Sequence, residues 1–198
     1  MMGVFVAWPI SPDLTSFVPP VMATLETSMW RRYYEKHYIL LFYNLFLASR
    51  HVNFSPVASV NIAAKAASAA YLFQISRSRS EAQQALPALK KYFSAISAGS
   101  PSPYSTTEAA KLELDWWQAR REFSAPEDYG KTIGQVASLI YGNHQADMKS
   151  AGILRATAMT YRDHCGSDIT QSDWERIEET LGKSYALLKT SINSSLPK

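Results

Sequence analysis

Along almost the whole chain apolar residues recur at intervals of three and four rather than two, a pattern that predicts helices. Pro19 and Pro20 supply a first turn, where the missing proline N–H costs nothing, and the periodic stretch after them predicts one long helix over residues 19–50. Ser55 and Pro56 are an N-cap and first-turn proline for an alanine-rich helix over 56–76. Ser80 and Glu81 open the next stretch, which Pro87 restarts or kinks and which ends near Gly99. Residues 100–104, with prolines at 101 and 103, read as a loop. Ser105 and Glu108 then have the capping-box spacing and lead into a helix over 109–123. Pro126 starts another, which Gly142 and Asn143 stop before a helix over 144–163. Thr170 or Ser172 caps a last helix reaching about Asn193. The one candidate strand is short, over 4–8.

Two stretches carry distinct patterns. In the last helix Trp174, Ile177, Leu181, Tyr185, Leu188 and Ile192 share a stripe opposite Glu175, Glu179 and Lys183, which predicts an amphipathic helix docked on the core. Residues 38–47 are apolar nearly all round, the pattern of a helix surrounded by others. The fold expected is all-α: a compact bundle of six to seven helices with a long central first helix and an amphipathic C-terminal helix. No repeat or long linker interrupts it, so residues 1–198 read as a single helical domain, with 99–105 the one candidate subdomain boundary.

Composition narrows the class. Of 198 residues 46% are hydrophobic and 19% charged, which excludes disordered and collagen-like chains. The single cysteine, Cys165, excludes an internal disulfide and suits a reducing compartment, so the expected location is cytoplasmic. The apolar patch at 4–8 has no basic residues before it and is broken by Pro9 and Pro12, unlike a secretory signal. The apolar run over 38–48 is about half the roughly 20 residues a spanning helix needs. Of the 20 basic residues, nine lie between Arg31 and Lys91 against only Glu35 and Glu81. They are scattered, apart from Arg77, Arg79, Lys90 and Lys91, so nucleic acid is not the expected partner. A pI near 8.9 and 12% aromatic residues leave peripheral contact with a membrane open.

Catalytic signatures are missing. The sequence has no glycine-rich phosphate loop, no Cys-x-x-Cys, no His-Glu-x-x-His and no Glu-x-x-His, so no metal site is expected and no cofactor is assigned. Cys165 has no helix N-terminus to lower its pKa. Three polar groupings remain. On a continuous first helix His37 and Asn44 would share one stripe inside an apolar environment, as a polar pocket or as structurally satisfied core groups. Glu113, Trp117 and Arg120 border the stripe of Leu112, Trp116, Ala119 and Phe123; an arginine beside tryptophan holds an anion or aromatic ligand, or forms a border ion pair. Arg155 and Arg162 lie seven apart with Asp163 beside the second, facing either a cavity or carboxylates such as Glu113, Glu178 or Glu179.

Two functions fit this inventory. The first is a soluble interaction or adaptor protein, homodimeric through an aromatic face, whose partner is another protein or a second copy. The second is a protein or enzyme that binds a small anionic or aromatic molecule in a polar pocket between helices, lined by His37, Asn44, Glu113, Trp117, Arg120, Arg155, Arg162 and Asp163.

Overall fold

A computed structural model describes residues 11–143 and 146–195. Among them are nine α-helices and no strand: α1 Pro19–Tyr34, α2 Tyr38–His51, α3 Pro56–Ile75, α4 Arg79–Ala82, α5 Leu86–Ile96, α6 Thr106–Arg121, α7 Pro126–Tyr141, α8 Ala146–Cys165 and α9 Gln171–Ser195. The candidate strand at 4–8 lies outside the described residues. The capping signals act as expected at Ser55 and Ser105, whose hydroxyls accept the N–H groups of Ala58 and Glu108, and prolines open α1, α3 and α7.

The long first helix is a correction. It is two helices, because Lys36 adopts a left-handed conformation, φ 60°. There the His37 N–H donates to the Arg32 carbonyl at 2.8 Å and the Lys36 N–H to that of Tyr33 at 3.2 Å, the paired bonds of a Schellman stop. Glu35 clamps the turn through Arg31 and Arg32. Asn53, Phe123 and Gly142 end α2, α6 and α7 in the same way, with φ of 68°, 59° and 63°. Gly142 and Asn53 are residue types that take this conformation readily, so it is the stops at Lys36 and Phe123 that carry no sequence signal.

Each long helix packs chiefly on two others, in the order α1, α2, α3, α5, α6, α7, α8, α9 and back to α1. The result is a closed ring of eight helices, with α4 as a single turn between α3 and α5. The ring closes where Tyr185 and Thr24 bond across α1 and α9 to Glu26 and Glu178. Its tightest seam is α7 against α8. A Cβ on Gly130 would lie 2.6 Å from the Ile153 Cα, one on Gly134 would lie 2.7 Å from the Lys149 Cα, and one on Gly152 would strike the backbone of both glycines. Beside the seam the fully buried Tyr129 hydroxyl donates to the Ala156 carbonyl at 2.7 Å.

The apolar α2 is the second correction. It is not enclosed: only Ser49 is buried, while Ile39 is 86% and Tyr43 53% exposed. One face, with Leu41, Phe42 and Leu45, looks into the ring, and the opposite stripe of Ile39 and Tyr43 looks outward. The helix is apolar all round because each face meets something different, not because other helices surround it. The C-terminal helix behaves as its pattern predicts, burying Trp174, Ile177, Leu181 and Ile192.

Candidate functional site: a cavity inside the helix ring

The ring encloses a cavity of about 950 Å³, the upper end of the range for small-molecule sites. All eight ring helices contribute to its wall. Aromatic rings are prominent in the wall, among them Phe17, Trp30, Tyr33, Trp116 and Trp117, while α3 contributes the small side chains of Ala66, Ala67 and Ala70. Tyr38 and Tyr71 belong to the wall yet are 51% and 60% exposed, so the cavity opens to solvent between the start of α2 and the end of α3.

A polar patch interrupts the apolar wall. Glu26 of α1 is 2% exposed and accepts from Arg155 Nε at 2.7 Å and Nη2 at 2.6 Å, while the Tyr185 hydroxyl donates to its other oxygen at 2.6 Å. Burial alone would depress the Arg155 pKa, but Glu26, Tyr185 and Glu113 outweigh it and hold the cation above the ordinary arginine range. Burial, then Glu26, pushes Tyr185 well above the usual phenol value. Arg155 also stacks over Trp116, 5.6 Å from the ring centroid.

Glu113 is the unbalanced charge. Its carboxylate accepts from Trp117 Nε1 at 3.0 Å but forms no ion pair among the described residues. Burial raises its pKa against the pull of the Arg155 cation and the indole donors, so it lies closer to neutrality than a surface glutamate. Beside it Tyr92 is pushed up to about 12 by burial and by the Glu113 charge.

A second cluster stands behind the wall. Arg120 makes a bidentate pair with Asp163, 2.9 Å from Nε and 2.8 Å from Nη2, and Nη2 also donates to the Tyr34 hydroxyl at 2.6 Å. Arg162 lies 3.2 Å over the Tyr34 ring, and its buried Nε has no hydrogen-bond partner among the described residues. Arg162 also lines a smaller cleft of about 310 Å³ with Arg31 and Trp174.

The residues singled out in the sequence therefore divide. Glu113, Trp117, Arg120 and Arg155 meet in the cavity wall. Asp163 holds Arg120 in place from behind, and Arg162 faces the separate cleft. Asn44 is half-buried on α2 and takes no part in the wall. His37 is a correction: the break at Lys36 places it on the surface, its Nδ1 3.2 Å from the Glu35 carboxylate. Phe123, expected on the buried stripe of α6, is 93% exposed because the left-handed turn carries it outward. Sequence reasoning missed Glu26 and Tyr185. The signal for Glu26 was present: it is the lone acid of α1, on the stripe of Met22, Met29 and Tyr33, where a carboxylate needs a buried partner.

Among the described residues no three His, Cys, Asp or Glu side chains come together to hold a metal, and no helix is long and apolar enough to cross a membrane. No protein-family model, curated protein or solved structure matches the chain.

Proposed function

We propose that this protein binds a largely apolar molecule of lipid or polycyclic size inside the helix ring, with a hydrogen-bonding head directed at Glu113. The single observation behind this reading is the aromatic cavity of about 950 Å³, to which every long helix contributes. The two arginines in its wall are already paired with Glu26 and Asp163, so the ligand's head is neutral or cationic rather than anionic. Glu113 then accepts from a hydroxyl, amide or amine on the ligand, or donates to a carbonyl when protonated. The site supplies no nucleophile paired with a base, which favours carriage or sensing over catalysis.

Under this reading the described residues act as one unit, since the ring needs α1 and α9 together to close. The lone Cys165 favours the cytoplasm. An interaction role would use the largest run of exposed apolar side chains, on α2 and α3.

Native mass spectrometry of gently purified protein tests the reading. The wild type is expected to retain a mass of a few hundred daltons, and Ala66→Trp, which fills the cavity from α3, is expected to lose it. Each protein at its own bare chain mass, with nothing retained by the wild type, would overturn the reading.

A further inference from the structure

We propose that the end of the ring where α2 begins and α3 ends seats on an anionic lipid bilayer, with the cavity mouth against the lipid. That the ligand is drawn from this bilayer rests on the function proposed above; the docking itself does not.

The first observation is apolar exposure concentrated at one end. The short connection between α2 and α3 folds them side by side, so the start of one lies with the end of the other. There Tyr38, Ile39, Tyr71 and Ile75 are all more than half exposed. Phe123 joins them, because Glu122 is ion-paired with Arg79 and Arg121 donates to the Ser76 hydroxyl at 3.0 Å. A phenylalanine held left-handed and 93% exposed is costly in water and gains nothing from the protein. Inserted among lipid chains, it is stabilised, and the tyrosines suit the headgroup level.

The second observation is charge. From Lys36 to Ser80 the chain carries no acidic residue. The two acids flanking that stretch are engaged, Glu35 with Arg31 and Arg32 and Glu81 with the Arg77 N–H at 2.7 Å, and Glu122 of α6, which reaches this end, is paired with Arg79. Lys36 and Arg77, both exposed, lie at the same end and form no ion pair among the described residues, so this rim is cationic. An anionic bilayer complements it. A second copy complements it less well: a two-fold contact through this face would set Lys36 and Arg77 against their own copies. Of the acids near this end Glu35, Glu81 and Glu122 are already engaged, which leaves only Asp115, close to Arg79, to receive them.

The third observation is continuity. Tyr38 and Tyr71 belong both to the exposed end and to the cavity wall, so a ligand leaving the bilayer would enter the ring without crossing water.

Flotation with phosphatidylcholine vesicles, with and without phosphatidylserine, at about 0.1 M salt decides the matter. Wild type is expected to float with the anionic vesicles and to fall by about tenfold or more in Ile39→Glu and in Phe123→Glu, both folded by circular dichroism. Ala66→Trp is expected to float as wild type does, whereas only the wild type acquires a lipid mass. Failure of the wild type to float, or flotation of the glutamate variants unchanged, overturns the docking. So does a wild-type dimer in sedimentation that Ile39→Glu dissociates. Loss of flotation with a retained mass still removed by Ala66→Trp refutes the docking and leaves the cavity reading intact. Flotation with the same added mass, or none, in both proteins upholds the docking and refutes the cavity.

Discussion

The α7–α8 seam and the α2–α3 hairpin are both antiparallel helix pairs that carry small residues, yet they do opposite things. At the seam Gly130, Gly134 and Gly152 let two backbones touch, and the space a Cβ would need is already filled. In the hairpin Ala66, Ala67 and Ala70 of α3 face the cavity, and the outer stripes of both helices meet solvent. Close packing stabilises through many short contacts, whereas an open wall forfeits them and leaves room for something else. The seam is where this fold is held, and the hairpin is where it is available.

Substitutions sharpen that contrast, beginning with the largest effect. Gly152→Ala is expected to cost about 3 kcal/mol or more in denaturant unfolding, because the added methyl strikes backbone that cannot move aside. An effect near zero would show that the seam yields. Glu26→Gln leaves the Arg155 cation without its carboxylate and is expected to cost about 3 kcal/mol, with part recovered when Arg155→Met is added. If the double variant is no better than the single one, the two side chains are not a coupled pair.

Glu113 gives a smaller, pH-dependent effect. Its folded pKa is raised, so the unfolded chain ionises first and the native state holds the extra proton. Wild-type stability therefore falls as pH climbs from the ordinary carboxylate range through the raised value, and Glu113→Gln removes that slope. A wild type and variant with parallel pH profiles would contradict the burial of this carboxyl.

On the hairpin, Ile39→Ser is expected to change stability by less than about 0.5 kcal/mol, despite removing a large apolar side chain. Asp173 gives the smallest effect. The Tyr161 hydroxyl and Thr170 hold it near 2, so its contribution to the start of α9 is complete above the ordinary value of 3.8 and fades as pH falls toward 2. Loss of α9 helicity in acid should show this fade in the wild type and not in Asp173→Asn.

Helix starts were legible in the sequence because proline and serine caps act locally, as at Ser55 and Ser105. The stop at Lys36 was not, since a left-handed lysine looks like any helical lysine until the chain finds a surface to fold back on. The misreading of α2 has a related cause. All-round apolarity reports that no face is matched to bulk water inside a bundle, but it cannot distinguish enclosure by helices from a helix between a cavity and an open surface. Four of the eight candidate residues met in the cavity wall because polar side chains at borders of apolar stripes must share partners. His37 and Asn44 were grouped on a helix that does not exist as one piece. Glu26 and Tyr185 were missed because their pairing spans the ring closure, a contact between opposite ends of the chain.

The most direct test of a ligand-binding helix ring is titration with the neutral fluorescent probe N-phenyl-1-naphthylamine, read by its own emission and by quenching of the wall tryptophans. Saturable uptake of one probe per wild-type chain, abolished in Ala66→Trp with the helical spectrum intact, is the predicted result. No saturable uptake, or equal uptake by the two proteins, would contradict a binding cavity inside the ring.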